Sequence, residues 1–153
     1  MKIPTLNVVI DYDLIAINTT LEDYLLALNV NKKLKTSLAR TPKDLILERN
    51  NQKIELVQYS FEDETNYLYW RLIQNRKLVE VSDNSFSLFG QTQQLVFLCP
   101  ELKNADFLLK IEGIESDDFY KEHIISQIKK IKQISTAFFV DIDRLNVKNN
   151  LLF

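Results

Sequence analysis

With 153 residues the chain has the size of one domain, and 46% apolar and 26% charged residues are the proportions of an ordinary soluble globular protein. A net charge of −2, from 19 basic and 21 acidic residues, lacks the positive footprint of most nucleic-acid binders, and no apolar run nears the roughly 20 residues of a membrane-spanning helix. Two glycines, one histidine and one cysteine exclude a glycine-rich phosphate loop, the common all-His/Cys zinc sites and any internal disulfide.

Met1-Lys2-Ile3-Pro4-Thr5 has neither a long apolar stretch nor a small-residue cleavage site behind it, so no leader is expected. With a single cysteine, a reducing, cytoplasmic setting is the expectation. A single domain is expected over 1–153, with Arg144–Phe153 as a short tail.

The first predicted element is a strand over Val8–Ile17, with Val9, Asp11, Asp13, Ile15 and Ile17 on one face and Ile10, Tyr12, Leu14 and Ala16 on the other. Thr19-Thr20-Leu21-Glu22 then fits a capping box at the head of a helix from about Thr20 to Leu34. Leu21, Tyr24, Leu25, Leu28 and Leu34 read as its apolar stripe. Leu45–Arg49 and Ile54–Phe61 flank Asn50-Asn51, residues that tolerate the positive φ of a tight hairpin. Tyr67–Gln74 is the next strand, with Leu68, Trp70 and Leu72 on one face and Tyr67, Tyr69, Arg71 and Ile73 on the other.

Turns are expected at Asn75-Arg76-Lys77 and at Asp83-Asn84-Ser85, around a short strand Leu78–Val81. Phe86–Phe89 and Leu95–Leu98 add strands on either side of Gly90, and Pro100 ends the latter. Phe107, Leu109 and Ile111 alternate with Lys110 and Glu112 in a strand that stops at Gly113. Ser116-Asp117-Asp118 opens a second helix, with Phe119, Ile124, Ile128 and Ile131 on its buried face and Lys129, Lys130 and Lys132 at its negative end. Ser135–Ile142 is the last strand. The pattern implies an α+β fold, a mostly antiparallel sheet with two helices packed on one face.

Few residues carry recognisable chemistry. Asp11/Asp13 and Asp141/Asp143 place paired carboxylates on one strand face each, and four of them would meet if the first and last strands were neighbours. The plainer reading is that each pair marks a strand end in solvent. His123 lies near Glu115, Asp117, Asp118 and Glu122, but with no spaced nucleophile it reads as a surface histidine. Cys99 reads as a small buried hydrophobe. Tyr59, Phe61, Tyr67, Tyr69 and Trp70 fall on adjacent strands. Core packing, a partner-binding face and base stacking with help from Arg71, Arg76 and Lys77 are the three uses open to them, in that order.

The string Leu98-Cys99-Pro100-Glu101-Leu102-Lys103-Asn104-Ala105-Asp106-Phe107 resembles the signature of a small bacterial family named for the pattern IPExxxDY. Asp11-Tyr12-Asp13-Leu14-Ile15-Ala16-Ile17, Leu21-Glu22-Asp23-Tyr24, Asn29 and Lys32-Lys33-Leu34 resemble the same family, so the likeness runs over most of the chain. Cys99 stands in place of the isoleucine, Phe107 in place of the tyrosine, and four residues rather than three separate Glu101 from Asp106. The resemblance implies a bacterial cytoplasmic setting and no transferable activity. It marks Pro100, Glu101, Asp106, Phe107, Asp23 and Tyr24 as signature positions. Glu101 and Asp106 read either as groups that hold a chain reversal together or as an acidic loop offered to a basic partner.

The resulting expectation is a non-catalytic protein-binding or adaptor module using an aromatic or acidic face, with Tyr59, Tyr67, Tyr69 and Trp70 as the aromatic candidates. No cofactor, metal or membrane is expected, and the partner is expected to be another protein. A metal-assisted enzyme built on the paired aspartates, and an RNA-associated factor using the aromatics with Lys129, Lys130 and Lys132, are the alternatives.

Overall fold

A computed structural model describes residues 12–81, 92–115 and 117–145. The start of the first predicted strand with Asp11, the turn at 83–85, the strand 86–89, Gly90, Ser116 and most of the tail lie outside the described residues.

In chain order the elements are β1 (Tyr12–Thr19), α1 (Asp23–Leu34), β2 (Ala39–Arg40), β3 (Leu45–Arg49), β4 (Gln52–Leu56), β5 (Gln58–Asp63), β6 (Leu68–Gln74), β7 (Arg76–Val81), β8 (Thr92–Phe97), β9 (Phe107–Glu112), α2 (Asp118–Lys129) and β10 (Ile134–Phe139). A 3-10 turn follows at Ile142–Arg144. Six strands form one sheet in the order β10-β1-β9-β6-β5-β2, and β3-β4 and β7-β8 form two separate hairpins. Every pairing is antiparallel. The fold is α+β, as the alternation of strand and helix patterns implies.

The central strands β1 and β9 are buried on both faces, in keeping with the continuous apolar runs Leu14-Ile15-Ala16-Ile17 and Phe107-Leu108-Leu109. On one face Ile15, Ile17, Trp70, Leu72, Leu109 and Ile111 meet Leu26, Ala27 and Val30 of α1, Ile124 and Ile128 of α2 and Ile131 just after it. On the other, Leu14, Ala16, Ile73 and Leu108 meet Leu47, Ile54 and Leu56 of the first hairpin, with Leu98, Cys99, Ala105 and Leu145. Both helices therefore share one face, and hairpins and a loop cover the other. Lys77 Nζ donates to the Glu55 carbonyl at 2.7 Å, tying the two hairpins together.

Several local expectations are corrected. Thr19 does not cap α1, because it is still the last residue of β1, paired with Ile134. Its hydroxyl accepts from the Leu21 N–H and donates to the Gln133 carbonyl, while Glu22 takes the N-cap without a side-chain bond. The buried stripe of α1 is Leu26, Ala27, Val30 and half-buried Leu34, and Tyr24 stands 60% exposed. Apolar residues occupy nearly every position from Tyr24 to Leu28, so periodicity could not fix the phase; the exit from β1 does. Phe119 is out of phase with Ile124 by a partial turn, and Tyr120, four residues before Ile124, takes the inward place.

The predicted strand Ile54–Phe61 is two strands. Val57 leaves the ladder and exchanges bonds with Gln74, its N–H to Oε1 at 3.1 Å and its carbonyl from the Gln74 N–H at 2.9 Å. That break lets β4 turn back on β3 while β5 joins the main sheet. Asn50 and Asn51, at φ 51° and 60°, form the expected tight turn between β3 and β4. The turn expected at Asn75-Arg76-Lys77 is only Asn75, since β7 begins at Arg76. The last strand is Ile134–Phe139, and the chain then bends into the 3-10 turn.

Candidate functional site

Among the large apolar side chains described, Tyr67 and Phe119 are the most exposed, at 88% and 89%. They belong to one end of the molecule, built from the β5–β6 turn, the exit of β9 and the head of α2. Asp63 closes the turn by accepting from the Asn66 backbone N–H at 3.2 Å and from Asn66 Nδ2 at 2.8 Å. Tyr67 then adopts a left-handed φ of 57°. Its carbonyl oxygen passes 2.6 Å from the point a Cβ would occupy on Gly113, whose φ is +100°. Only glycine fits there, and this close approach seats the turn against the start of α2.

Asp117 caps α2 by accepting from the Tyr120 N–H at 3.1 Å. With Tyr120 turned inward, Phe119 projects outward. Burial, and next the charge of Asp63, push the Tyr120 hydroxyl pKa above its ordinary value.

A chain of shallow depressions joins these pieces. One of about 530 Å³ is lined by Glu62, Asp63, Glu64, Tyr67, Tyr69 and Glu112. The next, about 490 Å³, shares Tyr67 and Gly113 and continues to Glu115, Asp117 and Tyr120; Asp118 and Phe119 lie beyond. Among the described residues Glu112 pairs with Lys110, at 3.1 Å. None of Glu62, Glu64, Glu115, Asp117 or Asp118 forms an ion pair there. The result is two exposed aromatics among five carboxylates that form no ion pair with the described residues. Beside them Lys110 is buried, its Nζ 4.7 Å from the Tyr12 ring centroid, and burial lowers its pKa. Arg71 stacks over Tyr69 at 5.0 Å.

The four aromatic candidates separate. Trp70 and Tyr59 are buried in the core, whereas Tyr67 is open and Tyr69 half-buried. Adjacent residues on a strand face opposite ways, and the helices cover the Trp70 side. Tyr59 donates to Asp23 Oδ2 at 2.7 Å, so Asp23 fastens the head of α1 to β5. Burial chiefly, then this bond, push the Tyr59 hydroxyl up to about 12. Tyr24 faces solvent.

Asp106 ties its loop to the end of β1 and the start of β7 rather than closing a reversal with Glu101. Its Oδ2 accepts from the Thr19 N–H at 2.8 Å and its Oδ1 lies 3.3 Å from Arg76 Nε. Phe107 is buried against the helices. Pro100 and Glu101 are exposed on the loop before it. Sequence reasoning missed the residue that organises this loop. Asn75 is wholly buried. Its Nδ2 donates to the Leu102 and Ala105 carbonyls at 2.9 and 2.8 Å, and its Oδ1 accepts from the Cys99 N–H at 2.9 Å. Its own N–H and C=O bond Asp106 and Leu98. An asparagine at the end of a strand reads as a turn residue, and no local signal separates the two roles.

Among the described residues, which exclude Asp11, the paired aspartates do not form a centre. β1 and β10 are neighbours, but Asp13 pairs with Lys121 at 2.8 Å and Asp141 with Arg144 at 3.1 Å. Among the described residues no group of three or more His, Cys, Asp and Glu side chains is placed to hold a metal ion. His123 is exposed on α2 and Cys99 is buried, its thiol pKa raised by burial. Lys129 ends α2 and Lys130 and Lys132 follow it, a helix length of roughly 17 Å from Phe119 at the other end. Bases stacked on Tyr67 would meet carboxylates rather than lysines. No helix among the described residues is long and apolar enough to cross a membrane.

No family model, no curated protein and no solved structure matches the chain.

Proposed function

We propose that the chain is a non-catalytic, cytoplasmic protein-binding module that docks an arginine- or lysine-bearing segment of another protein on its acidic, aromatic end. One observation carries this reading: Tyr67 and Phe119 project almost fully into solvent amid Glu62, Glu64, Glu115, Asp117 and Asp118, which lack cationic partners among the described residues. An exposed aromatic attracts a guanidinium or ammonium through its ring face, worth about 0.5–1 kcal/mol each at open sites. Surrounding carboxylates add steering that fades over a Debye length of about 8 Å at physiological salt. Aromatic anchors with a polar rim are the composition of protein interfaces. The resemblance to the IPExxxDY family belongs to the same reading and supplies its bacterial setting.

An oligoarginine peptide titrated into the protein by calorimetry tests the chemistry, and affinity capture with and without nuclease tests the partner class. Binding that weakens with salt and is lost in the Tyr67→Ala/Phe119→Ala double variant is the expected result. Peptide binding unchanged in that variant, or a captured set that disappears on nuclease treatment, would overturn it.

A further inference from the structure

β10 is the outermost strand of the six-stranded sheet among the described residues, with β1 on its one paired side. The register settles which backbone groups are used. The Val140 N–H donates to the Leu14 carbonyl at 2.8 Å, and Ala16 and Asn18 stand opposite Phe138 and Thr136. Thr136 and Phe138 therefore bond inward, with Val140 beyond the strand, and Ala137 and Phe139 turn their N–H and C=O groups outward. Natural edge strands are usually blunted by a charge or proline. The strand Ile134–Phe139 contains neither, and its one irregularity is the slip in register that skips Ser135, at the end away from Ala137 and Phe139.

The layer of hairpins that covers the second face stops short of this edge. Phe138 stands 49% exposed there, in a groove of about 400 Å³ with Ala16 in the lining and Leu102 and Asn104 of the signature loop opposite. Charge is divided along the same edge. Exposed Lys129, Lys130 and Lys132 precede the strand, and exposed Asp141 and Asp143 follow it. Arg144 pairs with Asp141 at 3.1 Å, so this end carries a net charge of −1 against the three lysines of the other.

We propose that β10 pairs antiparallel with β10 of a second copy of this chain across a two-fold axis, joining two six-stranded sheets into one. The occupant follows from the charge pattern. Antiparallel self-pairing is the arrangement in which the lysine end of one strand meets the aspartate end of an identical strand, twice over by symmetry. With Ala137 on the axis, Ser135 stands opposite Phe139 of the second copy, and Phe138 packs beside its Thr136. The outward amides gain ladder partners, and the open groove is bridged. This surface is separate from Tyr67 and Phe119, so it stands or falls independently of the proposed partner site.

The experiment is sedimentation and light scattering of the full chain over a concentration series, with hydrogen exchange read at Ala137 and Phe139. The expected result is a twofold rise in mass with concentration, reversed by salt, with protection of both amides rising in step. Lys129→Glu/Lys130→Glu/Lys132→Glu should leave a monomer, and adding Asp141→Lys/Asp143→Lys should restore the dimer because the pattern is only inverted. Thr136→Lys/Phe138→Asp should leave a folded monomer, foldedness being checked by its denaturation midpoint. A monomer at every concentration overturns the proposal. So does a dimer in which Ala137 and Phe139 exchange freely, or one indifferent to the charge reversals.

Discussion

Replacing Asn75 by alanine removes three hydrogen bonds from one buried side chain and leaves both of its backbone bonds in place. The Cys99 N–H would be left as a buried donor without its acceptor, costing about 1–3 kcal/mol. The Leu102 and Ala105 carbonyls each lose a donor, at about 1 kcal/mol apiece. The expected loss is thus about 3–5 kcal/mol, most of it falling on the loop Leu98–Asp106 rather than on the sheet. Cys99 is the one cysteine of the chain and is fully buried, so it reports this loop cleanly. If the loss falls on local opening, thiol-reagent modification should accelerate by about 10³-fold, since 1.4 kcal/mol is tenfold in an opening equilibrium. Asn75→Asp sharpens the test. An ionised carboxylate would face two carbonyls, so its pKa in the fold should lie above the ordinary carboxylate value. Stability should then be greatest at acid pH and fall as pH rises through the unfolded and then the folded pKa. A Cys99 rate raised less than about threefold, with a stability loss below about 1 kcal/mol, would refute the role given to Asn75.

Gly113→Ala should cost about 2 kcal/mol or more in chemical denaturation, because its Cβ would meet the Tyr67 carbonyl at 2.6 Å and its φ of +100° is strained for alanine; a neutral result would mean the turn relaxes freely. Tyr59, with a pKa of about 12 against 10.0 unperturbed, contributes stability that is complete below pH 10 and lost between about 10 and 12. The Tyr59→Phe variant should lose that part of the alkaline dependence, as read by denaturation against pH. Tyr67→Ala and Phe119→Ala should leave stability within about 0.5 kcal/mol and still lower the affinity for a basic peptide.

Much of the fold was legible because it rests on short-range pattern. The apolar runs of β1 and β9, the asparagine pair between β3 and β4, the cap at Asp117 and the stop at Gly113 each act within a few residues. What was not legible depended on partners far along the chain. Thr19 looks like a helix cap until Ile134 claims it as a strand residue, and the Leu-rich stretch of α1 is apolar on too many sides to choose its own buried face. Asn75 looks like a turn until Cys99, Leu102 and Ala105 arrive to use its amide.

The candidate site follows the same division. The sequence by itself determined that acidic and aromatic residues are plentiful, that Tyr69 and Arg71 share a strand face opposite Leu68, Trp70 and Leu72, and that no phosphate loop or cysteine-histidine zinc site is available. Tyr67, expected on the Tyr69 face, instead ends the turn before β6 at a left-handed φ of 57°. Only the tertiary structure decided which aromatics meet water. Two helices cover the Trp70 side of the sheet and take Tyr59 with it, while the close approach of Gly113 to the Tyr67 carbonyl brings the β5–β6 turn beside the head of α2. Residues some fifty positions apart, Tyr67 and Phe119, then stand in one field of carboxylates. Periodicity within a segment carries the direction of each side chain; the packing of distant segments decides whether that direction leads to core or to solvent.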